Sequence, residues 1–422
     1  MKKLILLTVL LATPAAAQQV TRLPAQDKLL PGKPTTQFSI GAEDGEDWEL
    51  LSRLSQVAFD KEENLYVLDG GNHRVLVFNP QGKFLRKIGK KGGGPGELMT
   101  PVGLAVTTAG EIAVTDLGRA AVSLFKKDGT FVKNITLGED FGFPVLNQGT
   151  YAHPSGGVVV RTMPPIMRGG SPAEIASRTM TGRKSPVTWF TTGAKTTKLF
   201  DIPQPDVTPK VNDSGGAQGQ RTIAVRVQIP AFTPPTVWGI LPNGSVAVSN
   251  GVNYNIEIAR NGKVERVIQR PFTARKVTEA DKNREKAQRR EQMASGRGNM
   301  VMSTSERSGS GPARASRGVG GPMSKQQIDE MLSEMTFAEY VPVLTGMYVD
   351  PRGRMWVQRF KEVGQDGPID LINAATGAYV GTIAAGMRLP AAVSLTGRAA
   401  YIERDEDTDV EKVVVRRLPA GW

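Results

Sequence analysis

Short runs of alternating apolar and polar residues, broken by glycine-bearing turns, recur along most of this chain. Residues 57–88 read VAFDKEENLYVLDGGNHRVLVFNPQGKFLRKI, and residues 104–135 read LAVTTAGEIAVTDLGRAAVSLFKKDGTFVKNI. Laid over one another at a spacing of 47 residues, Leu65 meets Ile112, Val67 meets Val114, Asp69 meets Asp116, Val75 meets Val122 and Phe78 meets Phe125. Each unit predicts four short antiparallel strands, with Gln81-Gly82 and Asp128-Gly129 in the last hairpin, where a tight turn demands positive φ. A unit of this size cannot bury its apolar face alone, so repeats at this period stack into arrays or close into rings of blades.

The pattern persists further on, in weaker form. A third unit is expected from 145 through 158–160, interrupted by a Pro/Gly/Ser-rich loop at 164–186 and resuming at 187–190. A fourth takes in 221–229, 236–240, 246–249, 254–258 and 264–269, and a fifth runs from 348 to 383. The last, 392–418, shows only three strands, and residues 37–41 are the natural donor of the fourth. Closing a ring with a strand from the other terminus removes sheet edges that invite aggregation. The expected architecture is all-β, a six-bladed β-propeller of four-stranded antiparallel blades over 37–418.

One stretch, 273–337, has a different composition and predicts an insertion between blades 4 and 5. Residues 277–293 lack Gly and Pro and predict a helix capped by Thr278. Residues 294–322, rich in Ser, Gly, Arg and Met, predict a flexible linker. Residues 325–337 predict a second helix capped by Ser324, with Ile328, Met331, Leu332 and Met335 on one face.

Composition changes the picture in three ways. The start, MKKLILLTVLLATPAAAQQ, has two lysines, a short apolar run and small residues at 15 and 17, which predicts a secretory signal peptide over 1–17. There is no cysteine, hence no disulfide, no thiolate metal site and no cysteine to carry a lipid anchor. No later run is long and apolar enough to span a bilayer. The expected location is periplasmic or secreted, and the expected state a monomer. The formal charge is +12, or +10 without Lys2 and Lys3, and +7 of it falls in 273–325, where 12 Lys/Arg face 5 Asp/Glu. A basic pI with this distribution is no nucleic-acid footprint, and no aromatic residues interleave to stack on bases.

The run LYVLDGGNHRVLVFNPQGKFLRKIGKKGGGPGEL, 65–98, resembles the NHL repeat through Asp69, Asn72, Arg74-Val75, Phe78, Gly82 and Gly94-Pro95-Gly96-Glu97. The second unit keeps Asp116, Arg119, Val122, Phe125 and Gly129 but has Ala120-Ala121 in place of His73-Arg74. The likeness is specific over about 80 residues and generic beyond them. As a whole the chain resembles the exported bacterial six-bladed propellers of the NHL/TolB-like superfold. That resemblance implies a fold more than a function, since members bind proteins, RNA or sugars or act as lactonases and lyases.

Candidate binding residues are Asp69, His73, Arg74, Asp116, Arg119 and Asn250. Asp69 and Asp116 occupy equivalent places in consecutive units, so fixing a turn through loop N–H groups and an arginine is the more economical role. His73 and His153 are the only histidines. Two histidines without cysteine cannot build the common zinc constellations, and no G-x-S-x-G nucleophile elbow occurs. The glycine-rich KKGGGPG at 90–96 lacks the G-K-[ST] ending of a phosphate loop and reads as a connection between units. The acidic run Glu403, Asp405, Asp407, Asp409 offers the carboxylate oxygens that calcium prefers, though without EF-hand spacing. No other cofactor is expected.

The leading functional expectation is a non-enzymatic binding module that meets a protein or an extracellular polymer through loops at the channel mouth. The alternative is a metal-dependent hydrolase or lyase of the propeller lactonase type.

Overall fold

The structure is a computed structural model that describes residues 19–137, 143–144, 149–163, 182–193, 195–204, 209–215, 221–227, 229–295, 300–305, 314–319, 324–405 and 407–422. The predicted signal peptide lies outside the described residues.

Blade 1 shows how the repeat builds its strands. Leu54–Phe59, Leu65–Asp69, Arg74–Phe78 and Phe84–Ile88 pair in sequence order, each antiparallel to the next. The two middle strands are buried on both faces, whereas the outer one alternates between exposed and covered positions. Because side chains alternate across a strand, Leu65, Val67, Leu76 and Phe78 point into one inter-blade core with Ala400, Val413 and Val415. Tyr66, Leu68, Val75 and Val77 point into the next, with Leu104, Ile112, Val114 and Phe125. Each fully buried side chain of this size contributes about 1.5–3 kcal/mol, so the stability of a blade resides in the contacts with its neighbours.

Blade 2 repeats the plan with Pro101–Val106, Ile112–Asp116, Ala121–Phe125 and Phe131–Thr136. Blade 3 uses Thr150–Ala152, Val158–Met163, Lys184–Phe190 and Thr196–Pro203. Blade 4 uses Val237–Ile240, Val246–Ser249, Asn255–Arg260 and Lys263–Gln269, and blade 5 uses Leu344–Val349, Arg354–Arg359, Ile369–Asn373 and Tyr379–Ile383. Blade 6 consists of Ala392–Val393, Arg398–Arg404 and Glu411–Arg417, completed by Thr35–Ile40 from the other end of the chain. The fold is a six-bladed β-propeller. The ring closes as the three-stranded last repeat requires: Phe38, Ser39 and Ile40 pair with Val415, Val414 and Val413.

The N-terminal segment does more than close the ring. Gln19–Arg22 adds a parallel fifth strand to the outer edge of blade 4, and Leu29 bridges to Thr382 on the outer edge of blade 5. Between them Asp27 joins a buried cluster. Its carboxylate accepts from Arg270 at 2.8 Å and Arg359 at 2.7 Å, and Arg270 also pairs with fully buried Asp370 at 2.8 Å. Tyr254 and Thr382 donate to the same Asp370 at 2.8 and 2.6 Å. This belt was not anticipated.

Several sequence expectations are corrected. Arg221–Val227 is not part of blade 4. It pairs with Pro209–Gly215 on one side and Met300–Ser305 on the other, and Arg314–Val319 completes a separate four-stranded sheet. The stretch assigned to a linker therefore contains two strands. β-Branched alternation marks a strand without saying which sheet it joins. In blade 3 the innermost strand starts at Thr150, and the third starts at Lys184 instead of 187; residues 145–148 lie outside the described residues. Both helices form. Helix α1, Glu279–Ala294, carries a capping box at Thr278, and α2, Lys325–Ser333, one at Ser324 with Ile328 and Leu332 buried. Helix α2 is shorter than expected, because Thr336 and Ala338 instead hydrogen-bond to Ala231.

Candidate functional site

In a blade of four sequential antiparallel strands, the connections 1–2 and 3–4 emerge on one face of the ring, and those of 2–3 and 4–1 on the other. Here the two faces differ in kind. The 1–2 and 3–4 connections are tight, glycine-bearing turns, for example at Gly82, Gly110, Gly129, Gly244, Gly353 and Gly397, all with positive φ. Every long connection, both helices and the separate sheet belong to the opposite face, called the loop face below. The candidate binding residues and the acidic run lie at that face too, since they sit in 2–3 loops or at the strand ends flanking them.

The geometry of these candidates is that of braces. Asp69 is fully buried and accepts from the Ser52 N–H at 2.9 Å, from Asn72 Nδ2 at 2.9 Å and from Arg74 Nε at 2.8 Å. Arg74 continues to the Asp47 carboxylate at 2.5 Å and to the carbonyls of Asp47 and Leu50. The loop that closes the ring is thereby tied to blade 1. Asp116, equally buried, accepts from the N–H groups of Met99, Thr100 and Gly118 at 2.7, 2.8 and 3.0 Å. Arg119 pairs with it at 3.7 Å and donates to the carbonyls of Gly92, Gly94 and Glu97, holding the KKGGGPG connection in place.

His73 adopts φ of 55° at the tip of its turn, and its Nδ1 is buried without a hydrogen-bond partner. Asn250 is exposed and accepts from the Val252 N–H at 3.2 Å, a local turn contact. His153 belongs to the other face: it stacks on Trp189 at 3.9 Å, accepts from the Ser155 N–H, and is lowered in pKa by burial. The acidic run is interleaved with cations. Glu403 pairs with Arg416 at 2.5 Å, Asp405 with Lys412 at 2.8 Å and Asp409 with Arg404 at 3.0 Å, while the Asp407 N–H donates to Asp405. Lys412 and the Thr408 backbone and hydroxyl hold Asp405 below the ordinary carboxylate range. The carboxylates of Glu403, Asp405 and Asp409 are thus turned toward cations of their own hairpin, not toward one point. Among the described residues, no three His, Cys, Asp or Glu side chains gather around a common centre.

The ring's inner strands carry no Asp, Glu, His, Lys or Arg. What the sequence does not show is how uncharged groups link them. The Gln56 side-chain oxygen accepts from the N–H groups of Leu104 and Thr150, both at 3.0 Å, and its amide donates to the Thr150 carbonyl at 2.8 Å, tying blades 1, 2 and 3 together. Thr150 then meets Thr115 at 2.7 Å, an approach possible because residue 103 is glycine: a Cβ there would lie 2.1 Å from Thr150 Oγ1. Tyr151 meets Trp238 edge to face at 4.8 Å, and Tyr348 accepts from the Val393 N–H at 2.9 Å. Burial pushes the Tyr151 phenol up to about 12. Gln56, the one amide in an otherwise apolar stretch, was the available signal. The Asp27–Arg270–Arg359–Asp370 cluster had none, because its members are scattered from one end of the chain to the other.

Residues 45–153 match a family model described as a 6-bladed beta-propeller, which covers blades 1 and 2 and the first strand of blade 3. No curated protein matches the chain. Similar solved structures include a candidate exported protein from Bacteroides fragilis, 11% identical, with TM-score 0.48 and coverage of 95% of this chain and 100% of that one. Another is a protein from Bacteroides vulgatus, 10% identical, with TM-score 0.42 and coverage of 91% and 98%. A catalytically inactive virginiamycin B lyase from Staphylococcus aureus is 10% identical, with TM-score 0.38 and coverage of 86% and 94%. No helix among the described residues is long and apolar enough to cross a membrane.

Proposed function

We propose that the protein is a non-enzymatic binding module whose loop face receives a protein or an extracellular polymer. The observation that carries this reading is the division of labour between the faces: tight turns on one, all elaboration on the other. Rigid scaffolds place recognition on such loops. The ionisable candidates Asp69, Arg74 and Asp116, all buried, and the half-buried Arg119 are occupied in bracing these loops, as a stable platform needs. The loop face also exposes large apolar residues, Leu50, Met99, Val252 and Tyr340, each more than 40% exposed, of the kind that anchors partners.

The test uses matched substitutions on the two faces. Leu50→Asp with Met99→Asp alters the loop face, and Leu395→Asp alters the turn face at a residue 50% exposed. Binding to partners captured from the exported fraction is expected to fall on the order of tenfold or more in the loop-face variant and to be unchanged in the other. Loss in the turn-face variant alone, or in neither, refutes the assignment.

A further inference from the structure

The two ends of the chain meet in blade 6, and their meeting leaves a gap in the turn face. In the other blades a short hairpin joins the third strand to the fourth, as at Gly82, Gly129, Gly262 and Gly377. Blade 6 has no such hairpin, because its third strand ends at Arg417 and its fourth begins at Thr35. Beside this gap, between blades 6 and 1, opens a cavity of about 590 Å³, a volume within the range of small-ligand sites. Its wall comes from the closing strand, from both turns of blade 1 and from the turn-face end of blade 6.

One residue of that wall departs from a plan the ring otherwise keeps. The 1–2 turns of blades 2 to 6 carry a glycine with positive φ at Gly110, Gly156, Gly244, Gly353 and Gly397, each donating its N–H to the carbonyl three residues earlier. Blade 1 makes the same turn with Glu63, at φ of 67°. Such strain persists only where the surroundings hold it, and it gathers at ligand clamps. Here the Glu63 carboxylate accepts from the Thr396 N–H and hydroxyl at 3.1 and 2.8 Å and from Arg398 Nη2 at 2.9 Å. Arg398, only 5% exposed, also donates to the carbonyls of Glu63 and Pro80. The buried part of the wall is thus fixed across the seam between the two blades.

The charges around the cavity are not all answered. Glu63 is answered by Arg398, and Glu62 by Lys127 at 2.6 Å. Arg417 is exposed, donates through Nη1 to the Thr396 carbonyl, and among the described residues pairs with no carboxylate. The amides of Gln37 and Gln81 are exposed as well, while half-buried Phe38 and Pro80 add apolar surface. We propose that this cavity binds a sugar acid, its carboxylate on Arg417, its hydroxyls on the two amides and the C–H face of its ring against Phe38 and Pro80. A guanidinium recognises a carboxylate through paired N–H donors, and an amide offers hydroxyls both a donor and an acceptor. A wall assembled from several turns and strand ends, not from one strand edge, suits a compact ring better than an extended peptide. The proposal is independent of the loop-face reading, because it concerns the opposite face.

The test is titration calorimetry on the chain from Gln18 onward, which keeps every described residue. The probes are glucuronate, galacturonate and mannuronate, each against its parent hexose, which lacks only the carboxylate. At least one uronate is expected to bind about tenfold more tightly than its hexose, and less tightly as salt screens the pair. Arg417→Gln, at an exposed position, should bring that uronate level with its hexose and leave the melting temperature unchanged. Gln37→Ala/Gln81→Ala should weaken both sugars, by about fivefold or more. Leu50→Asp/Met99→Asp, on the loop face, should bind the uronate as the parent does. The proposal is overturned if no uronate binds, if hexose and uronate bind alike, or if Arg417→Gln binds undiminished. It is equally overturned if the amide variant binds as the parent does, or if acetate competes as well as the uronate, since either reduces the site to a bare guanidinium.

Discussion

Asp69→Ala is the substitution that separates a brace from a ligand. The carboxylate is fully buried and accepts three donors: the Ser52 N–H, Asn72 Nδ2 and Arg74 Nε. Its removal leaves the Ser52 N–H without its acceptor, and Arg74, only 5% exposed, keeps Asp47 and two carbonyls alone. Breaking a buried pair from one side costs about 3–5 kcal/mol, and the N–H of Ser52, an exposed residue, adds little because water can replace its acceptor. A figure of ~4 kcal/mol is therefore expected. With an unfolding entropy of about 2.1 cal/mol/K per residue, a chain of 422 residues loses roughly 5 °C of melting temperature for that amount. Asp47→Ala is the internal control. Its side chain is 71% exposed, where an ion pair contributes about 1 kcal/mol or less, so its melting temperature should stay within about 1 °C. Calorimetry on the two variants and the parent reads both values. If Asp69→Ala melts with the parent, or Asp47→Ala melts lower than Asp69→Ala, the bracing role is wrong and the loop needs another explanation.

Two further outcomes follow from particular contacts. Asp281 in α1 is held below its ordinary value of 3.8, chiefly by Arg275, which donates to both oxygens at 2.6 and 2.9 Å. A carboxylate with a depressed folded pKa stabilises fully above its unfolded value and loses that contribution as pH falls through the folded one. Hydrogen-exchange protection of α1 should therefore hold down to about pH 4 and fall below it, and Arg275→Ala should lower the protection above pH 4 and flatten this dependence. Protection that declines already near neutrality refutes the assignment. Removing residues up to Ile40 should leave the Glu411–Arg417 edge unpaired and the ring open. Size-exclusion chromatography is expected to show oligomers or aggregate, whereas a chain that starts after Leu30 and keeps Thr35–Ile40 should remain closed; a soluble monomer lacking Thr35–Ile40 contradicts this account of closure.

Blade order, strand faces and ring closure could all be read from the linear chain, because each depends on a local period. The alternation in Leu65–Asp69 and Arg74–Phe78 specifies two opposite buried faces, the glycines place the hairpins, and a last repeat short of one strand demands a donor. The caps at Thr278 and Ser324 are local too, since a capping box closes within one helical turn. Tertiary structure decided whatever depends on which distant segments meet. Arg221–Val227 looks like any other strand, yet its partner came from residues 300–305 and not from blade 4. Asp27 gains its role only when the N-terminal belt passes over Arg270 and Arg359. That Asp69 and Asp116 brace turns was expected from their repetition; that the N–H groups they hold are those of Ser52 and Met99 was decided by the fold. A pattern of apolar positions encodes how much surface a segment must bury, but not the address of the surface that buries it.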